Sequence, residues 1–226
     1  LATAVLAAVV AMSCSSMKPW RNEPVGNEIN LAFSLERNLI ELPNVRIDNR
    51  PGRFILGTAA PRTVIDPTLV RAASVTLGEK SVVRIRPAIV DLQGVADAII
   101  GADAWGANAI TIDYQKRVLT FQKYAMESDG MSVSHFRGEP SVEVVVDGRR
   151  TSAIVDTTSP DTLVLPAATK SRGTASVRVA DADFGAIDVQ YANVARARIG
   201  NRLLSRFLVT IDYGRHMVGL WRDPRA

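Results

Sequence analysis

From Ile29 onward the chain runs in short apolar segments separated by turn-forming residues. Val, Ile, Thr and aromatic residues fill these segments, and lengths of about four to eight residues predict strands. INLAFSLE and NLIELPNVRID open the series, and Arg50-Pro51-Gly52 marks a turn. RFILGT reads as a short strand ending in a loop. TVIDPTLVRAA reads as a strand followed by a short helix opened by Pro67. SVTLG, SVVRIRPAIVDL and VADAIIGADAWG follow. NAITIDYQKRVLTFQKY reads as two strands that turn near Gln115-Lys116. The pattern then lapses over YAMESDGMSVSHFRG. It resumes with SVEVVVDGRRTSAIVDT, a hairpin turning at Asp147-Gly148. TLVLPAAT comes next, and RIGNRLLSRFLVTIDYGRHMVGLW closes the series. Turns near Gly78 and Gly185 are the only signs of a hairpin that would cover a cleft.

The second series repeats the first. Shifted by 99 positions, Gly57 falls on Asp156, Thr58 on Thr157, Pro61 on Pro160, Thr63 on Thr162 and Pro67 on Pro166. Gly101 falls on Gly200, and Thr111-Ile112-Asp113-Tyr114 falls on Thr210-Ile211-Asp212-Tyr213. One offset without a gap implies an all-β chain of two similar lobes, residues 29–125 and 140–226. The polar stretch 126–139 is expected to link them.

The segment before Ile29 differs. Thirteen uncharged, mostly apolar residues precede Cys14, too short a run for a membrane span and similar to the apolar region of a secretion signal. Ser13 before Cys14, with Ala11 three residues ahead of the cysteine, resembles a bacterial lipoprotein processing site, although the usual leucine is missing. Residues 1–14 are therefore expected to be a partial signal peptide and 15–28 a polar tether. A lipid on Cys14 would anchor the chain to a membrane on the periplasmic side of a bacterial envelope; a secreted or soluble periplasmic protein is the alternative. Cys14 is the only cysteine, so the chain can form no internal disulfide and no cysteine zinc site.

Composition adds little to this. The chain is 47% hydrophobic and 22% charged, which places it among globular proteins. Its net charge of +4 comes from scattered arginines. There is no basic run with interleaved aromatics, so nucleic acid is not an expected partner.

Candidate chemistry centres on Asp156. A carboxylate ending the apolar run Ala153-Ile154-Val155 needs hydrogen bonds, and Thr157-Thr158-Ser159 can supply hydroxyl and N–H donors. A turn aspartate capping its own loop competes with a carboxylate held in a cleft. Asp113 and Asp212 precede turns and read as caps, and Asp161 reads as a solvent-facing turn residue. His135 and His216 are the only histidines, with no metal-ligand spacing between them. Neither a metal nor another cofactor is expected. No nucleophile elbow and no glycine-rich phosphate loop is present.

Beyond the tether, the chain resembles the aspartic proteases, especially the bacterial retropepsin-like members and the two-lobed pepsin-like arrangement. The family pattern of two apolar residues followed by Asp-Thr-Gly is matched by Ile154-Val155-Asp156-Thr157-Thr158-Ser159 and, in degenerate form, by Ile55-Leu56-Gly57-Thr58-Ala59-Ala60. Ile99-Ile100-Gly101 and Arg198-Ile199-Gly200 match a later family element. The resemblance implies lobes related by a pseudo-twofold axis. It also implies that Thr58 and Thr157 bond across the two loops. The family's chemistry requires two aspartates that share a proton and activate water. Here Gly57 stands where the first would be, and Ala59 and Thr158 stand where the family has glycine.

Asp156 is therefore the remaining catalytic candidate, Gly57 marks the lost partner, and Thr58, Thr157, Ala59 and Thr158 support the loops. The resemblance implies an impaired peptidase homologue that binds an extended peptide in the cleft between its lobes. The first alternative is an active endopeptidase using Asp156 with a second carboxylate, Asp91 or Asp103 rather than Asp66, which is poorly placed nine residues past Gly57, or with Asp156 of a second copy. The other alternative is a structural envelope protein. Ligand identity and oligomeric state are not readable from the sequence.

Overall fold

The computed structural model describes residues 28–69, 74–78, 81–123 and 130–222. The signal, lipidation and tether expectations on residues 1–27, Cys14 included, lie outside the described residues. The described chain is predominantly β-strand, as its alternation predicts.

One six-stranded antiparallel sheet draws on both halves. Its order is Ile29–Ala32, Val118–Gln122, Ala109–Asp113, Leu208–Asp212, Met217–Trp221 and Ser132–His135. The middle pair sets Thr111 opposite Thr210 and Ile110 opposite Ile211. The two threonine hydroxyls lie 3.1 Å apart. The TIDY segments, 99 positions apart, thus become neighbouring strands.

The rest of the second half is a closed barrel. Its order is Ser141–Val146, Arg149–Val155, Ala197–Ile199, Leu163–Pro166, Ala182–Ala192 and Ser171–Val179. Asp147 and Gly148 both have positive φ, the conformation that a two-residue hairpin turn requires. The first half pairs its strands in a similar way. Phe54–Leu56 runs parallel to Ala98–Ile100, as Arg149–Val155 does to Ala197–Ile199. Val64–Ile65 and Leu163–Pro166 each pair antiparallel with the same middle strand of their own half. Yet the rest of the first half is divided between a six-stranded and a three-stranded sheet. Pro43 lies between Leu39–Glu41 and Val45–Ile47, and Pro87 lies between Ser81–Arg84 and Ala88–Ile89. Proline has no N–H for a ladder, so strands end where it falls.

Three local expectations change. Pro67 opens a 3₁₀ turn, Pro67–Leu69, rather than an α-helix. The long hairpin of the second half turns at Ala180-Asp181, while Gly185 lies inside the strand Ala182–Ala192 with φ +61°. Within the stretch expected to be a linker, Ser132–His135 is a strand on Met217–Trp221. Its small polar residues carry no apolar period. The ladder comes from a partner far along the chain.

The core follows the pleat. One hydrophobic cluster runs through both halves and includes Phe54, Leu56, Ile100, Trp105, Phe121, Val155, Ile199 and Ile211. The alternate residues Ile55 and Ile99 point the other way. They form a second, smaller cluster with Leu39, Ala60, Val64, Leu92 and Ala96. On strands paired as in the first half, the matching positions in the second half are Ile154 and Arg198. An arginine therefore occupies a slot that is apolar in the first half.

Candidate functional site

The loops Gly57–Ala60 and Asp156–Ser159 have the same backbone bonds. Gly57 N–H donates to Ile100 O at 2.9 Å, and Asp156 N–H to Ile199 O at 3.0 Å. Ala60 N–H reaches back to Gly57 O, and Ser159 N–H to Asp156 O, both at 3.1 Å. Gly101 and Gly200 make the close packing behind them feasible. A Cβ on Gly101 would stand 2.3 Å from the carbonyl carbon of Arg62, and one on Gly200 would stand 2.3 Å from Asp161 O. Only glycine allows backbone to approach so closely.

The threonines join the loops reciprocally. Thr58 N–H donates to Thr157 Oγ1 and Thr157 N–H to Thr58 Oγ1, both at 3.1 Å. Thr58 Oγ1 donates to Val155 O and Thr157 Oγ1 to Leu56 O, both at 2.7 Å. Both residues are fully buried, so each bond replaces one that water would have made.

Two tyrosines brace this junction from the central sheet. Tyr213 OH donates to Thr58 O at 2.8 Å. Tyr114 OH donates to Asn201 Oδ1 at 2.7 Å, and Asn201 Nδ2 in turn donates to Thr157 O at 2.6 Å and Asn38 O at 2.7 Å. Burial pushes both phenols well above the ordinary tyrosine range. Asn201 starts the one-turn helix Asn201–Leu204, and its counterpart Ala102 could not make the bridge.

At the carboxylate positions the halves diverge. Asp156 is 1% exposed. Its Oδ1 accepts from Thr158 N–H at 3.0 Å and from Thr158 Oγ1 at 2.5 Å. Its Oδ2 accepts from Arg198 Nη1 at 2.8 Å. Thr158, standing where the resemblance expects glycine, therefore caps the aspartate. Arg198 is 12% exposed at its side chain, and its Nε is buried without a partner. Beside it, Arg196 Nη1 donates to Glu139 Oε2 at 3.3 Å. Burial raises the Glu139 carboxyl above its ordinary range; Arg196 and Arg198 oppose the rise and Asp156 adds to it.

Around Gly57 there is no such chemistry. A Cβ there would stand 2.5 Å from Ile99 Cγ2 and 3.2 Å from Ala60 Cβ. The space of a side chain is filled by apolar atoms, Ala59 and Ala60 both being buried.

The other acidic candidates are bound elsewhere. Asp66 accepts N–H bonds from Thr68 and Leu92, which hold its carboxyl below the usual range. Asp91 accepts from Gln93 N–H. Asp103 accepts from both Thr63 N–H and Thr63 Oγ1 at 2.7 Å, while burial raises its carboxyl. Asp113 and Asp212 cap their turns through Lys116 N–H and Arg215 N–H. Among the described residues no group of three histidine, cysteine or acidic side chains converges as a metal site would. Two open cavities, of about 460 and 330 Å³, are lined by no residue of Gly57–Ala60 or Asp156–Ser159. One is lined by Ser132, Glu143 and Arg178, the other by Asp161, Arg172 and Asp188.

Sequence reasoning missed Arg198, Asn201, Glu139 and the roles of Tyr114 and Tyr213. The offset of 99 held a signal for the first two, since it places Arg198 on Ile99 and Asn201 on Ala102.

No protein-family model and no curated protein matches the sequence. Solved structures do. An aspartic proteinase from Irpex lacteus superposes with a TM-score of 0.59 at 8% identity, covering 88% of this chain and 98% of its own. A retropepsin-like aspartic protease from Rickettsia conorii aligns with a TM-score of 0.34 at 18% identity, covering 43% of this chain and 95% of its own. With its paired loops and central sheet, the chain shares the β-rich fold of the Irpex lacteus aspartic proteinase.

Proposed function

We propose that this protein is a catalytically impaired relative of the aspartic proteases that binds an extended peptide between two lobes. The observation that carries the reading is the contrast at positions 57 and 156. One loop has no carboxylate and no room for one, and the other has a carboxylate faced by a guanidinium. Water activation by two carboxyls needs a second acid at the position that Gly57 now holds. The bonds that hold the loops together are intact, which fits a fold kept for binding. The reciprocity of Thr58 with Thr157, and of Thr111 with Thr210, supports a pseudo-twofold relation between the lobes. Anchoring to an envelope membrane through Cys14 belongs to the same proposal and rests on the sequence alone.

The test is cleavage of a diverse peptide library by the purified protein from pH 3 to 8, with Asp156→Ala beside it. Both proteins are expected to be folded and inactive. Cleavage by the wild type but not by Asp156→Ala would establish a working peptidase. A catalogue of peptides retained without cleavage would then define the ligand. Failure of the folded protein to retain any peptide would leave the structural alternative.

A further inference from the structure

We infer that Arg198 is a built-in counter-ion to Asp156, so that Asp156 is kept as half of a structural ion pair. The inference deepens the reading above and assigns Arg198 as the positioning residue of the site.

The argument begins with the pleat. Ala98–Ile100 and Ala197–Ile199 occupy matching places in the two halves, each parallel to the strand that enters its loop. On both, the outer residues Ala98, Ile100, Ala197 and Ile199 belong to the main core. The middle residue turns to the opposite face, beside the loop. In the first half that residue is Ile99, 1% exposed and packed with Leu39, Ala60, Leu92 and Ala96. In the second half it is Arg198.

Each middle residue is matched to the loop position 42 residues before it. Gly57 goes with Ile99, whose Cγ2 leaves no room for a Cβ. Asp156 goes with Arg198, whose Nη1 reaches Oδ2. The first arrangement closes the site with apolar atoms, and the second closes it with charge. An arginine in an apolar slot is costly unless it is paired, and a carboxylate exposed by only 1% is costly unless it is paired. Each therefore accounts for the other. Glu139 and Arg196 extend the charge at the exposed side, where Arg196 Nη2 also donates to Ser152 Oγ at 3.3 Å.

The experiment is a double-mutant cycle on the full chain, read by urea unfolding. The variants are Asp156→Gly, Arg198→Ile and the two combined, the last copying the first half. Arg198→Ile leaves the more deeply buried charge alone and is expected to lose the most, roughly a hundred-fold or more in the unfolding equilibrium constant. Asp156→Gly is expected to lose less, since Arg198 retains some exposure. The double variant is expected to recover more than half of the Arg198→Ile loss. Arg198→Lys, which keeps the charge, is expected to fall between wild type and Arg198→Ile. Additive losses, or wild-type stability in Arg198→Ile, would overturn the inference. If Arg198→Ile does not fold, the double variant must, and a double variant that also fails to fold overturns it. Peptide cleavage decides the functional reading separately, so the two can fail independently.

Discussion

Ile99 Cγ2 lies 2.5 Å from the point where a Cβ on Gly57 would stand. No flexible chain end is involved. Ile99 is 1% exposed, and its β-branched side chain has few rotamers to move into. Placing an aspartate at the position that matches Asp156, by Gly57→Asp, is therefore expected to destabilise the protein, by about 2–4 kcal/mol, through overpacking and a buried charge. Activity is not expected to appear. Adding Ile99→Ala removes the clash and should return part of the stability. Urea unfolding and a peptide-cleavage assay on both variants check this. A stable, active Gly57→Asp single variant would mean that the site had kept its space.

The threonine junction should be symmetric in energy as it is in geometry. Thr58→Val removes a hydroxyl that donates to Val155 O and accepts from Thr157 N–H. Thr157→Val removes the mirror set, to Leu56 O and from Thr58 N–H. Each leaves a buried donor and a buried acceptor unsatisfied, at about 1–3 kcal/mol apiece. Losses of about 2–6 kcal/mol are expected for both, equal to within about 1 kcal/mol. The double variant should lose less than the sum, since the two hydroxyls share one network. Chemical denaturation of the three proteins is sufficient to decide.

Asn201 and Tyr213 serve the two ends of that junction unequally. Asn201 is fully buried and makes three bonds, to Tyr114 OH, Thr157 O and Asn38 O. Asn201→Ala is expected to cost about 3–5 kcal/mol, because two buried polar groups and one half-buried carbonyl lose their partner together. Tyr213→Phe loses one bond, to Thr58 O, at about 1–2 kcal/mol. Thermal unfolding that ranked Tyr213→Phe as the worse of the two would show that the Asn201 bridge is dispensable.

Much of this fold is legible in the chain because its two halves state the same pattern. Apolar alternation gives the strands, Asp147-Gly148 gives a turn, and the offset of 99 aligns Thr58 with Thr157. The failures have physical causes. Ser132–His135 has no apolar period because its pairing is supplied by Met217–Trp221. The division of the first-half sheets at Pro43 and Pro87 depends on which residues must donate to a neighbour, which a strand pattern does not state. Arg198 was visible as an apolar slot filled by a cation, yet its partner could only be found once the strand lay beside the Asp156 loop.

Glu139 supplies a pH dependence with a definite sign. Burial is the main cause of its raised pKa, with Asp156 adding to it and Arg196 and Arg198 opposing it. The folded protein therefore holds this proton more tightly than the unfolded chain does. Below the ordinary glutamate range, about 4.3 in unfolded chains, the group is neutral in both states and its stabilising contribution is fully present. As pH rises through the raised folded value, that contribution is lost, because ionised Glu139 is less well solvated in the fold. Glu139→Gln removes the titration. Relative to wild type, it is expected to gain stability as pH rises from 4 towards 7. Its exchange of an ion pair with Arg196 for a neutral contact adds only a small offset, since that pair is long at 3.3 Å and partly exposed. Urea midpoints of the two proteins across this range give the answer. A difference that stays constant with pH, or that moves against the variant, would show that the Arg196 and Arg198 guanidiniums outweigh the burial of Glu139.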